Sequence, residues 1–238
     1  MFYIKCVYYG LYMIWIRIKG IKRFFIQKFK GEEEAWKYGQ RVFASWTIFT
    51  IKFARMEITV SGKENIPSET CVFMGNHKSI LDIPVIKYAT DRNLDFVAKD
   101  DLLKIPVIRY WIPRLKTIIL NRESARDGIK SIKLAIENVK EGYSYVIFPE
   151  GTRSKDNEIH EFKKGSLKIA TKSKVPIVPF AINGTESFLG KDGKLKPGRV
   201  DIIFGEAIET NKLDREDEKY LAEKLQNTVI KLYEDIRI

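Results

Sequence analysis

Histidine and cysteine are nearly missing from this 238-residue chain, which holds two of each. Cys6 and Cys71 form no close pair and no zinc-ligand spacing. That excludes a disulfide framework and a structural metal, and it fits a reducing compartment. Neither His77 nor His160 belongs to a pair with metal-ligand spacing. No serine lies in a nucleophile-elbow pattern, and no glycine run has Walker or dinucleotide spacing. No nucleic-acid-binding motif, internal repeat or low-complexity segment occurs. Acid is absent from the first 31 residues, which carry seven Lys or Arg. A long apolar run is absent too. The stretch Cys6–Ile16 is 11 residues, and a spanning helix needs about twenty. Extending it from Met1 to Ile18 gives a borderline span only if Lys5 snorkels.

What the N-terminus does have is aromatic density beside charge of one sign. Phe2, Tyr3, Tyr12, Trp15, Phe24 and Phe25 share the segment with Arg17 and Lys28. Ile21, Phe24, Phe25 and Phe29 recur at helical intervals, with Lys22, Arg23, Lys28 and Lys30 between them. This pattern predicts a helix lying in a lipid interface, rings in the acyl boundary and cations at the phosphates. An aromatic helix packed on the protein's own core is the other reading. The formal charge is +11, and residues 1–63 hold 12 Lys or Arg against four acids. The expected partner is an anionic membrane surface, not nucleic acid, with a peripheral or monotopic protein on the cytoplasmic face.

The length suits one domain with a helical appendage. Residues 1–53 read as membrane-associating helices and residues 54–238 as the main domain. Beyond residue 54, seven short apolar runs alternate with amphipathic segments: 56–60, 71–74, 94–98, 117–120, 145–148, 177–182 and 200–204. Helices are expected near 32–53, 83–88, 124–140, 162–172 and 214–233. Ser124 and Asp127 have capping-box spacing, and the loop 184–198 is rich in glycine. The alternation predicts an α/β fold: a mixed, largely parallel sheet covered by helices.

Three strand ends carry candidate chemistry. GNHKSILDIP sets His77 and Asp82 five residues apart after an apolar run. On a regular helix a five-residue step turns about 140°, so the side chains can meet only across a turn, with Asp82 where a helix starts and Pro84 in its first turn. A histidine held by a carboxylate is a general base near neutral pH. A capping aspartate beside a loop histidine fits the same spacing. FPEGTRS offers a tight turn at Gly151 with Thr152, Arg153 and Ser154 as donors, either a phosphate cradle or a plain strand-ending turn. Arg122 follows the apolar run 117–120. VPIVPF brackets a strand with Pro176 and Pro179, which reads as an edge or entering strand. His160 sits in a charged stretch and reads as solvated.

In order and spacing, NHKSILD, the strand-end arginine, FPEGTRS and VPIVP together resemble the glycerolipid acyltransferase family over about residues 56–205. The resemblance implies transfer of a fatty acyl group from acyl-CoA or acyl-carrier protein to lysophosphatidic acid, giving phosphatidic acid without a cofactor. It implies His77 as general base and Asp82 as its partner. Glu150, Gly151, Thr152 and Arg153 would hold the acceptor's glycerol phosphate, with Lys99 as a further phosphate ligand, Arg122 as the substrate-binding arginine of the second block and Pro179 lining the cleft. The chain departs from the family pattern at Asp101, where glutamate is usual, and at the IILNR block.

Overall fold

The computed structural model describes residues 2–120, 125–154, 156, 158–188 and 195–237, the side chains of Phe2 and Ala125 excepted. The elements run α1 (Phe2–Lys30), α2 (Glu32–Ala54), β1 (Met56–Ser61), β2 (Val72–Gly75), α3 (Asp82–Thr90), β3 (Asp95–Lys99), α4 (Pro106–Trp111), β4 (Ile118–Leu120), α5 (Ala125–Lys140), β5 (Tyr145–Ile147), α6 (Lys164–Ser173), β6 (Ile177–Asn183), β7 (Gly198–Phe204) and α7 (Arg215–Ile236). Each apolar run predicted from sequence forms a strand. The Ser124 capping reading and the centre of the 184–198 loop lie outside the described residues. The capping box that does form is Asp214 with Asp217 at the start of α7.

The strands make one seven-stranded sheet in the order β1-β7-β6-β2-β5-β3-β4. From β6 to β4 all neighbours are parallel, and β7 joins β6 antiparallel. Period-two alternation sorts the central strands onto two faces. Phe73, Val146, Val178 and Phe180 pack with Val85, Ile86 and Ala89 of α3 and Ile51 of α2. Val72, Met74, Tyr145 and Ile147 pack with Ala135 of α5, Leu167 of α6 and Leu225 of α7. Both faces are covered, which is why β2 reads as an unbroken apolar run. This is the mixed, largely parallel helix-covered sheet that the sequence predicted.

Three details differ from the sequence reading. First, β6 is an interior strand, not an edge. Pro179 is in register with Met74 of β2, and on its other side β7 ends at Phe204 and pairing resumes only at the bridge Ile177–Ile208, so its missing N–H is tolerated at a break in that ladder. Second, residues 2–30 form one continuous helix. It folds back on α2 through Gly31 (φ 88°), with Tyr12 stacked on Phe49 at 3.5 Å and its hydroxyl donating to the Ser45 carbonyl at 3.0 Å. Gly20 lets α4 approach closely, since a Cβ there would lie 2.4 Å from the Tyr110 ring. Third, Arg23 is buried against Glu32, to which it donates, instead of facing lipid phosphates. Among the described residues, no helix is long and apolar enough to cross a membrane.

Candidate active site

The parallel strands point their carboxyl ends to one edge, and this edge collects the candidate residues. β2 delivers Asn76 and His77, its neighbour β5 delivers Phe148 to Ser154, and β6 on the other side delivers Thr185. Gly75 is required because β2 passes so close to β6 that a Cβ would sit 2.2 Å from the Phe180 carbonyl oxygen.

His77 Nδ1 lies 2.7 Å from Asp82 Oδ2. The carboxylate is fully buried, and its Oδ2 also accepts the backbone N–H groups of Lys78 at 2.8 Å and Ser79 at 2.9 Å. Asp82 therefore binds the loop that carries His77. It does not cap its own helix, whose capping residue is Leu81. An oxygen already accepting two N–H groups is an acceptor for the ring as well, so Nδ1 donates to it and Nε2 is the ring nitrogen turned away from the carboxylate. The ring stacks on Phe148 at 3.9 Å between centroids, which fixes its plane.

The FPEGTRS turn is bonded to this loop twice. The His77 N–H donates to Glu150 Oε1 at 2.8 Å, and the Ser154 N–H donates to the His77 carbonyl at 2.9 Å. Glu150 Oε2 accepts the His160 N–H at 3.1 Å, so both carboxylate oxygens face inward. Burial raises the Glu150 carboxyl above its ordinary range, against the opposing pull of those two N–H groups. Gly151 adopts φ 73°, which turns the chain back. Thr152 and Arg153 are exposed on the turn. The His160 side chain is exposed, as expected, although its backbone is tied to the site.

Lys99 is exposed at the carboxyl end of β3. Arg122, two residues past the end of β4, lies outside the described residues. Pro179 is buried in β6, and its carbonyl accepts the Gly205 N–H at 2.9 Å. Along α1, Tyr3, Trp15, Phe24 and Phe25 are at least 47% exposed. Arg17 lies over the Tyr110 ring, Lys28 is exposed, and Tyr12 turns toward α2. The Phe2 side chain is not among those described. Sequence reasoning missed Thr185, whose hydroxyl donates to Asp82 Oδ1, and Asn76, whose amide pairs with both main-chain groups of Ile182 at 2.9 Å. Nothing in the sequence around a single threonine 103 residues from its partner marks it.

Sheet and dyad together define the class: an α/β fold that holds one imidazole against a buried carboxylate at the carboxyl edge of its parallel strands. Comparison with known proteins carries this further. The family model described as Acyltransferase matches residues 57–183. A 1-acyl-sn-glycerol-3-phosphate acyltransferase of Borreliella burgdorferi is 33% identical over 187 residues, covering 78% of this chain and 75% of the relative. A chloroplastic 1-acyl-sn-glycerol-3-phosphate acyltransferase of Brassica napus is 37% identical over 159 residues, covering 65% of this chain. The match spans 46% of that relative, under half its length. The crystal structure of the 1-acyl-sn-glycerophosphate (LPA) acyltransferase PlsC from Thermotoga maritima superposes with a TM-score of 0.78 at 30% identity, covering 96% of this chain and 94% of that one. The chain belongs to the acyltransferase family.

Proposed function

We propose that this chain transfers a fatty acyl group from acyl-CoA or acyl-carrier protein to the free hydroxyl of 1-acyl-sn-glycerol 3-phosphate, giving phosphatidic acid and a free thiol. The observation that carries the reading is the 2.7 Å contact of His77 Nδ1 with a fully buried Asp82. It leaves Nε2 as the basic atom. The acceptor hydroxyl gives its proton to Nε2 as its oxygen attacks the thioester carbonyl. The C–S bond then breaks, and the imidazolium returns the proton to the leaving thiolate. Asp82 holds the tautomer and stabilises the imidazolium in between. Neither cysteine is poised as a nucleophile. Cys6 is exposed on α1, and Cys71 is buried with its thiol pushed up to about 11 by burial. The reading is accordingly direct transfer from the thioester, without a cysteinyl acyl-enzyme.

Arg153 and Thr152 on the turn after β5, Lys99 after β3 and Arg122 after β4 hold the acceptor phosphate, with Gly151 giving the turn its shape. Pro179 shapes the cleft indirectly, through β6. Glu150 acts by fixing the His77 loop. The α1–α2 hairpin docks on the anionic cytoplasmic face of the cell membrane, with Tyr3, Trp15, Phe24 and Phe25 toward lipid and Arg17 and Lys28 toward headgroups. Docking places the site where acceptor and product reside, so no acyl chain is drawn into water at about 0.8 kcal/mol per methylene. Thiol release from acyl-CoA tests the reading with lysophosphatidic acid, glycerol 3-phosphate and other lysophospholipids as acceptors. Release that depends on lysophosphatidic acid supports it. Release with another acceptor alone, or none with any, refutes the assignment.

A further inference from the structure

Thr185 is fully buried, yet its side chain is polar and lies beside the most buried charge at the site. Asp82 has two oxygens. Oδ2 takes the imidazole and the N–H groups of Lys78 and Ser79, and Oδ1 takes the Thr185 hydroxyl. Without that donor the second oxygen of a solvent-excluded carboxylate would have no hydrogen bond among the described residues, a costly state for a charge.

The fold is built to bring Thr185 there. β6 runs beside β2, and the Asn76 amide clamps both main-chain groups of Ile182 at 2.9 Å. Gly184, at φ 94°, then reverses the chain, and a Cβ on it would lie 2.4 Å from the Arg199 carbonyl oxygen. The helical turn Thr185–Phe188 follows, anchored by the fully buried Phe188 ring. The loop of β5 thus steadies His77 from one side, and the loop of β6 steadies Asp82 from the other.

We propose that Thr185 is a positioning residue for the His77–Asp82 pair: its hydroxyl fixes Oδ1 so that Oδ2 stays aimed at Nδ1, and it draws charge from the carboxylate. This rests on the reading of His77 as general base. A carboxylate with less charge attracts the imidazolium less. Removing the hydroxyl has two effects. The carboxylate is freer to turn, which slows the chemical step. It also holds the imidazolium more strongly, which moves the acid limb of the pH profile upward. The other charged groups near the ring are left in place. Among the described residues they include Glu150, which takes the His77 N–H; Lys78, whose ammonium donates to the Asp156 carbonyl and faces Tyr233 of α7; and His160 behind Glu150.

The test is the pH dependence of acyl transfer in Thr185→Val, Thr185→Ala and Thr185→Ser, with His77→Ala as control. The valine variant should lose about ten- to a hundredfold in kcat with the acceptor KM nearly unchanged. Its acid limb should move up by roughly half to one unit, and serine should restore both. The alanine variant gives the same reading should valine impair folding. A wild-type limb and kcat in T185V or T185A, or a loss that T185S does not restore, overturns the inference. If H77A itself retains activity, the reading of His77 fails first. If H77A is inactive while T185V is normal, only this inference falls.

Discussion

The Glu150 carboxylate accepts the main-chain N–H of His77 at 2.8 Å, so it holds the residue by its backbone and leaves the ring to Asp82. With Oε2 on the His160 N–H, this acid is a brace between two loops. Gln in its place would turn an amide donor toward one of two donors. Glu150→Gln should therefore cost about 1–3 kcal/mol of stability and lower kcat, with the acceptor KM little changed. Thermal unfolding and steady-state kinetics check this. A raised KM at unchanged stability would mean that Glu150 contacts the acceptor instead.

Asp82→Asn separates geometry from charge. The amide oxygen can still accept the Lys78 and Ser79 N–H groups, and the amide nitrogen can face the Thr185 hydroxyl as acceptor. The loop should survive, but the imidazolium loses its counter-charge. We expect a folded protein with kcat reduced by about a thousandfold or more. Full activity in D82N would remove the carboxylate from the mechanism.

The exposed rings of α1 give a membrane prediction. Phe24 and Phe25 are 57% and 51% exposed and touch each other edge to face. Replacing both with serine should leave thermal stability within about 0.5 kcal/mol. The partition coefficient onto anionic vesicles, read by sedimentation, should fall by about a hundredfold or more, as each buried ring contributes about 1.5–3 kcal/mol. Unchanged sedimentation would assign docking to another surface.

A buried polar cluster joins α2, α3 and β3. The Lys87 ammonium donates to Gln40 Oε1 at 3.0 Å, and the Gln40 amide and Trp36 indole donate to Asp95. Burial pulls the Lys87 ammonium down to about 8, against the opposing pull of Asp95 and Asp91. Between that value and lysine's ordinary one, the unfolded chain binds more protons than the folded one, so stability at this group rises with pH. Burial also pushes the Asp95 carboxyl well above its range. The sign there is opposite, with stability lost as pH rises through its folded value. Lys87→Met isolates the lysine. From about pH 7.5 to about 9.5, wild type should gain stability relative to K87M, on the order of 2 kcal/mol. Urea unfolding at the two pH values reads the difference, and parallel changes would contradict it.

The centre of the sheet was legible in the sequence because its strands are short and apolar on both faces, so a run such as Cys71–Met74 stands out. The loop of β2 was legible because His77 and Asp82 can meet only across a turn. What escaped depends on contacts distant in sequence. Arg23 looked like one more interfacial cation until Glu32 folded back on it. Pro179 suggested an edge, but a local break in the ladder admits proline inside a sheet. The strand-end motif marks Glu150 as a ligand, and its bonds to the N–H groups of His77 and His160, which brace two loops, have no counterpart in the local sequence. Thr185 carries no local signal at all.

The central claim is that His77 takes the proton from the acceptor hydroxyl. The most direct measurement is the rate of thiol release from acyl-CoA by folded His77→Ala, compared with wild type at saturating lysophosphatidic acid. The account predicts acceptor-dependent release in wild type and a fall of about a thousandfold or more in H77A. A variant that keeps its fold and releases thiol within tenfold of wild type would contradict it.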